Sequence, residues 1–270
     1  MDIVEKAAAM IPGIKAVRPL IHQITNYVTM NDCANAIHAI GGSPIMANSP
    51  DESAEVTEIS KALVLNMGTP GSDSLRSMLS SGLRAKEKGI PVVFDPVGAG
   101  ATGLRKEICQ RVVKEISPDI IKGNLSEILY MAGMGSCSCG VDSSLRQECS
   151  PGLVRQLAAE LGCVVVATGR TDVISDGKRS YMINNGHEML SRIAGAGCMT
   201  GSLTGAFCGV AEDQLTAALG GVLAMGVAGG LAHKGLQPGE GIGMFKVRLF
   251  DSIYKLDAEI LIKEGNVHEV

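Results

Sequence analysis

The stretch Pro91-Val-Val-Phe-Asp-Pro-Val-Gly-Ala-Gly-Ala-Thr102, together with residues 103–126, decides the fold. Its apolar start predicts a strand over 91–94. Asp95 to Thr102 is a polar, glycine-rich turn, and 104–117 reads as a helix. Asp119 to Ile121 then opens a second strand, which runs into Lys122-Gly123-Asn124 and a helix from Ser126. Strand, loop, helix, strand with short connections is the unit from which parallel sheets are built.

The same rhythm extends in both directions. Strands are predicted at 20–26, 44–47, 62–67 and 163–167, and helices at 31–40, 72–88 and 151–161. Gly41-Gly42 and Gly89 stop two of these helices, as left-handed C-caps do. Residues 1–16 read as a helix broken near Pro12-Gly13. Asp176-Gly177, between Val173-Ile-Ser175 and Ser180-Tyr-Met-Ile183, breaks the rhythm and predicts an antiparallel hairpin at one edge. The expectation is an α/β fold with a mostly parallel central sheet, helices on both faces, and a single domain over 1–270.

Composition supports this. The 270 residues are 46% hydrophobic but only 3% aromatic, with no Trp and 34 Gly, so the core is aliphatic and closely packed. A net charge of −4, no basic stripe and few aromatic stacking platforms argue against a nucleic-acid partner. The uncharged run 215–232 is rich in Gly and Ala and reads as a buried core helix, not a membrane span. The opening residues carry Asp2 and Glu5 and lack the apolar run of a secretory leader. The eight cysteines are therefore expected to be reduced, in a cytoplasmic setting. Cys137-Ser-Cys139, ten residues before Cys149, has no second pair or suitable histidine to complete a zinc site.

Ligands in such folds bind beyond the carboxyl ends of the strands. Unusual polar residues are expected there: Asn26, Met46-Ala47-Asn48, Asp95, Lys122 with Asn124 and Glu127, and Thr168-Gly169. Gly195-Ala196-Gly197-Cys198 is read as another strand-to-helix junction of this class. Its glycine turn opens onto a helix whose free N–H groups favour an anion, and Cys198 falls in the first turn, where a thiolate would be favoured. The stretch proposes a phosphate cradle or a reactive thiol, against the plainer reading of a tight turn with a small apolar cysteine.

Asp95 and Glu127 end neighbouring strand units and suit a hydrated Mg²⁺, which takes one or two carboxylates plus phosphate oxygens. The competing readings are an Asx-turn at Asp95 and a capping box between Asn124 and Glu127. Lys122 suits a phosphate, or is a solvated lysine; Thr168-Gly169 offers a hydroxyl and a backbone turn to a nucleotide. Gly98-Ala-Gly-Ala-Thr102 is a candidate second anion nest but lacks the Gly-Lys-Ser/Thr of a P-loop. Of the five histidines none has metal-ligand spacing, and His22 reads as structural.

Five segments in order, His22-Gln-Ile-Thr-Asn-Tyr-Val-Thr-Met-Asn31, Gly42-Ser-Pro-Ile-Met-Ala-Asn48, Asp95 to Thr102, Ile121-Lys-Gly-Asn-Leu-Ser-Glu-Ile128 and Gly195 to Cys198, resemble the hydroxyethylthiazole kinase family of the ribokinase-like superfamily. The resemblance runs nearly end to end. It implies a three-layer ribokinase-like fold and ATP-dependent phosphorylation of the hydroxyl of 4-methyl-5-(2-hydroxyethyl)thiazole in thiamine salvage. It also implies Mg²⁺ and a homotrimer with sites near subunit interfaces. Carried over, Met46 and Gly195 contact the alcohol with Asn26 nearby, Lys122 and Thr168 contact ATP, and Asp95 and Glu127 organise Mg²⁺. Gly195, Ala196 and Gly197 line the anion hole and place Cys198 beside the hydroxyl. Two departures stand out. The family usually has Arg where Lys122 stands, and losing the bidentate fork lowers the expected ATP affinity. Ala194 and Ala196 replace two threonines, leaving the hole to its backbone donors. The alternatives are a related kinase for another small alcohol such as a hydroxymethylpyrimidine, a Cys198-dependent hydrolase, and a non-catalytic ligand-binding oligomer.

Overall fold

The computed structural model describes residues 1–133 and 150–270. Among the described residues nine strands form one sheet: β1 (Leu20–Ile24), β2 (Ser43–Ile45), β3 (Ala62–Asn66), β4 (Val92–Asp95), β5 (Ile120–Asn124), β6 (Val164–Thr168), β7 (Asp172–Ser175), β8 (Ser180–Ile183) and β9 (Val267–Glu269). Their spatial order is β2-β1-β3-β4-β5-β6-β7-β8-β9. All pairings from β2 across to β6 are parallel, and the last three are antiparallel.

The helices are α1 (Ile3–Ala8), α2 (Met10–Val17), α3 (Met30–Ile40), α4 (Ser53–Glu58), α5 (Ser72–Lys88), α6 (Gly103–Arg111), α7 (Leu125–Met131), α8 (Pro151–Leu161), α9 (Ala196–Cys208), α10 (Gln214–Lys234), α11 (Ile242–Lys255) and α12 (Ala258–Glu264). Alternation along the strands divides the apolar residues between two cores. Ile21, Val64, Val93, Ile120, Val164 and Val166 face the layer containing α3, α9 and α10. Leu63, Leu65, Phe94, Ile121 and Val165 face the layer containing α5, α6 and α8. The three-layer expectation holds.

α9 lies unusually close to the sheet, and its glycines allow it. A Cβ on Gly205 would stand 2.4 Å from Val64 Cγ2. α10 approaches α9 in turn: a Cβ on Gly221 would stand 2.4 Å from the Cα of Thr204. α10 is long and apolar enough to cross a membrane, but 89% of its most apolar window is buried in this fold, as expected of a core helix.

Three local expectations need correction, and a fourth is not reached. The N-terminal helix breaks at Ala9, which caps α1 and precedes α2, not at Pro12-Gly13. Pro12 sits in the first turn of α2, where its missing N–H has no partner to lose. Its ring instead disturbs the carbonyl four residues earlier, and the break falls there. The 173–183 hairpin is antiparallel as expected, but β9 pairs outside it and forms the edge. The residues before Gly195 are a 3₁₀ turn, Glu188–Arg192, so Gly195 does not follow directly on a strand. Cys137, Cys139 and Cys149, weighed above for zinc, lie outside the described residues.

Candidate active site

The site forms where the carboxyl ends of β1, β3, β4 and β5 meet the amino end of α9. Gly195 is the N-cap of α9, in the left-handed region at φ 88°. A Cβ there would also strike Thr29 Cγ2 at 2.5 Å, so both backbone and space require glycine. The first intrahelical bond runs from the Met199 N–H to the Gly195 carbonyl at 2.8 Å, and no side chain caps the end. The N–H groups of Ala196, Gly197 and Cys198 therefore lack helical partners and face the mouth with the positive end of the dipole.

Beneath this mouth lies a buried ion pair. Lys122, midway along β5, donates from Nζ to Asp95 Oδ2 at 3.0 Å and to the Gly197 carbonyl at 3.0 Å. Both side chains are almost fully buried, at 3% and 2% exposure. Burial pushes the Asp95 carboxyl up, against the pull of Lys122. Burial opposes charge on Lys122 too, but Asp95, Cys198 and Glu127 together outweigh it and hold the ammonium above its usual value. Lys122 is thus not a solvated lysine. Two of its three N–H donors are committed inside the protein, which leaves one for a ligand.

Glu127 occupies the third position of α7. Its Oε2 accepts from Asn124 N–H at 2.7 Å, while Asn124 accepts from Glu127 N–H, so the capping box is formed. Oε1 accepts from Gly98 N–H at 2.8 Å and pins the glycine loop after β4. Burial, then the charge of Asp95, raises its carboxyl to about 7. Among the described residues no group of three or more His, Cys, Asp or Glu side chains is placed to hold a metal. Mg²⁺ at a phosphate site needs only one or two carboxylates. Asp95 and Glu127 are two buried hard-oxygen donors carrying one more charge than Lys122 balances, and a divalent cation fits that imbalance.

Cys198 sits half-buried in the first turn of α9. Asn26 Nδ2 and Asn66 Nδ2 both approach its Sγ at 3.3 Å. Burial and the charge of Asp95 push the thiol up, which corrects the expectation of a favoured thiolate: desolvation outweighs the helix end. No histidine hydrogen-bonds Cys198 among the described residues, and His22 is engaged elsewhere. That buried ring contacts Thr57 Oγ1 at 2.8 Å and the Ala47 carbonyl at 3.0 Å, supporting the turn that carries half-buried Met46. Burial lowers its pKa, so neutral His22 donates from Nε2 to Ala47.

The structure thus joins Asn26, Asp95, Lys122, Gly197 and Cys198 in one hydrogen-bonded chain. Thr168, beside Asn124 in the register of β5 and β6, gives its hydroxyl to the Gly123 carbonyl at 3.2 Å. Met46, just past β2, and Thr168, at the end of β6, flank the strands of that chain on opposite sides, without a hydrogen bond to it. Two residues escaped the sequence reading. Asn66 ends β3 and connects Asn26, Cys198 and Asp95. Arg105 donates to the carbonyls of Met67 and Gly68, each at 2.8 Å, and to that of Val97, tying the loops after β3 and β4 together.

The model of the hydroxyethylthiazole kinase family matches residues 11–259. The hydroxyethylthiazole kinase of Ruminiclostridium cellulolyticum is 44% identical over 272 residues, covering 100% of this chain and 99% of its own. That of Methanocella arvoryzae is 42% identical over 252 residues, covering 93% and 94%. Among solved structures, the hydroxyethylthiazole kinase protein of Pyrococcus horikoshii OT3 superposes with a TM-score of 0.85 at 34% identity, covering 100% of both chains. The pyridoxal kinase of Staphylococcus aureus in complex with AMP-PCP has a TM-score of 0.65 at 13% identity, covering 93% of this chain and 99% of its own, and shares the fold. With a matching family model and relatives above 40% identity along their full length, the chain belongs to the hydroxyethylthiazole kinase family.

Proposed function

We propose that this chain, acting as one domain, transfers the γ-phosphoryl group of ATP to the primary hydroxyl of 4-methyl-5-(2-hydroxyethyl)thiazole, a thiamine-salvage step. The observation that carries the reading is the uncapped mouth of α9, with three N–H donors above a buried Asp95–Lys122 pair, in a chain of this family. The alcohol sits against Met46, Gly195 and Asn26, with its hydroxyl beside Cys198. ATP lies along the ends of β5 and β6, against Lys122 and Thr168.

Phosphoryl transfer depends chiefly on positioning and charge stabilisation. The N–H groups of Ala196, Gly197 and Cys198 supply fixed donors to the transferring group and need no reorganisation as charge develops. Lys122 holds the first turn of α9 through the Gly197 carbonyl and directs its remaining N–H at phosphate. Mg²⁺, held by Asp95 and Glu127, supplies neutralisation of the phosphate charge when bound. Cys198 orients the attacking hydroxyl and is dispensable for turnover. The family's arginine would bring more donors than Lys122 retains, so weak ATP binding is expected.

A homotrimer with sites near its interfaces fits the exposure of Tyr27 and Val28, at 77% and 71%, beside the substrate turn. Five free cysteines among the described residues fit a reducing, cytoplasmic setting. The test is a comparison of kcat/KM across the thiazole alcohol, hydroxymethylpyrimidine and pyridoxal with ATP and Mg²⁺. The thiazole alcohol is expected to lead by at least about 100-fold, since a site built around one alcohol rejects poor fits strongly. A higher value for another alcohol transfers the assignment to it.

A further inference from the structure

The two carboxamides at Cys198 have fixed orientations. Asn66 Oδ1 accepts the Gly68 backbone N–H at 3.0 Å. Asn26 Oδ1 accepts both the backbone N–H and the hydroxyl of Thr29, each at 3.0 Å. Backbone N–H groups only donate, so each of these atoms is an oxygen and each Nδ2 is the donor end. The Nδ2 donors are then fully assigned. Asn26 gives one N–H to Asn66 Oδ1 at 2.9 Å and one to Cys198. Asn66 gives one to Asp95 Oδ2 at 3.0 Å and one to Cys198. Asn26 and Asn66 are buried, at 4% and 3% exposure.

A thiol sulfur has two lone pairs and one proton. With both lone pairs facing amide N–H donors, the S–H bond is left the remaining direction, away from the asparagines; the Thr29 hydroxyl, whose own proton goes to Asn26 Oδ1, also neighbours the sulfur. We infer that Asn66 is a positioning residue which, paired with Asn26, clamps the Cys198 sulfur as a double acceptor and aims its proton at the alcohol in the site. This deepens the kinase reading and rests on it for the identity of the alcohol. The same clamp couples the cysteine to Asp95, because one carboxamide serves both. It also accounts for a thiol at this place without a histidine partner: two neutral amides orient the sulfur without adding charge.

The charged or titratable groups facing the sulfur are Asp95 on β4, Lys122 on β5 and Cys33 on α3. All remain in the variants Asn66→Ala and Asn26→Ala; Asn66→Ala also takes a donor from Asp95, whereas Asn26→Ala leaves the bonds of Asp95 in place, so a change in the sulfur shared by both variants reports the amides. The experiment measures the rate of Cys198 alkylation by iodoacetamide from pH 7 to 11, by mass spectrometry of its peptide, together with kcat and KM for the alcohol. Removing one amide is expected to move the alkylation midpoint upward by about one pH unit, since thiolate formation loses a donor. In Asn66→Ala, whose side chain is not placed against the alcohol, kcat is also expected to fall about tenfold or more with KM changed less than about threefold, the pattern of lost orientation and not of lost binding. Asn66→Gln, which retains a carboxamide, is expected to recover part of kcat. Unchanged alkylation and kcat in folded Asn66→Ala overturn the clamp, and should that variant fail to fold, the same result in Asn26→Ala does so. The alkylation profile needs no turnover. A protein that phosphorylates no thiazole alcohol yet shows the shift therefore defeats the kinase reading and leaves the clamp standing.

Discussion

Replacing Lys122 by Met tests the buried ion pair on which the α9 mouth rests. The change keeps the length of the stem and removes the ammonium. It leaves Asp95, with a side chain 2% exposed, paired only with Asn66, and it frees the Gly197 carbonyl. Breaking a fully buried pair by removing one partner costs about 3–5 kcal/mol. For a chain of this size each kcal/mol lowers the melting temperature by about 2–4 °C, so a fall of roughly 6 °C or more is expected. The loss should deepen with pH. Without Lys122 the folded-state pKa of Asp95 lies far above its unfolded value, so the folded form holds a proton the unfolded form has lost, and stability falls as pH rises above about 4. Asp95→Asn in the Lys122→Met background removes the orphaned charge. The double variant should be more stable than the additive sum by about 2 kcal/mol or more, near the upper range of coupling for contacting residues. Urea unfolding of the four proteins at pH 5 and pH 8 measures this. Additivity within about 0.5 kcal/mol would refute the reasoning.

Gly195→Ala forces a side chain into the left-handed region and against Thr29, and a shift of the mouth by about 1 Å should lower kcat about 100-fold, read in steady-state kinetics. Glu127, raised to about 7 by burial and Asp95, binds a proton in the folded state that the unfolded state has already released. Stability is therefore expected to fall as pH rises from about 4.5 to about 7, and thermal melting should show Glu127→Gln lacking that fall. Added Mg²⁺ should raise the melting temperature of the parent protein at pH 8 but not that of Glu127→Gln combined with Asp95→Asn. Cys198→Ala should retain measurable turnover, with kcat down about 10- to 100-fold; a folded, ligand-binding variant with none would contradict the subordinate role given to this thiol. Gly205→Ala places a Cβ 2.4 Å from Val64 Cγ2 and should cost about 1–3 kcal/mol in urea unfolding.

Much of the fold was legible because its signals are local. The strands that became β1 and β3 to β6 are short apolar runs ended by polar residues, and Gly41, Gly89 and Gly195 mark turns that only positive φ allows. The mouth of α9 was visible for the same reason. The rest depends on partners distant in sequence. Asn66 looks like the tail of the apolar strand 62–67, and its importance arises only when α9 lies across it. Arg105 resembles any charged residue in the first turn of a helix until its three carbonyl partners are assembled. Lys122 and Glu127 each had two sensible readings; packing ruled out the solvated lysine by burying Lys122 against Asp95, a pair the sequence did not suggest, and formed the capping box of Glu127. Glu127 shows that these readings need not compete: the oxygens that cap α7 and hold the Gly98 loop belong to the same carboxylate proposed to face Mg²⁺. β9 was missed because three residues, two of them exposed, carry no apolar alternation.

The central claim is phosphoryl transfer to the thiazole alcohol at the mouth of α9. Its most direct test is the mass of the product formed by the purified protein with ATP, Mg²⁺ and 4-methyl-5-(2-hydroxyethyl)thiazole, with and without EDTA. The account predicts a product heavier than the alcohol by one phosphate, with matching ADP release, both abolished by EDTA. Binding of ATP and the alcohol without any phosphorylated product would contradict it.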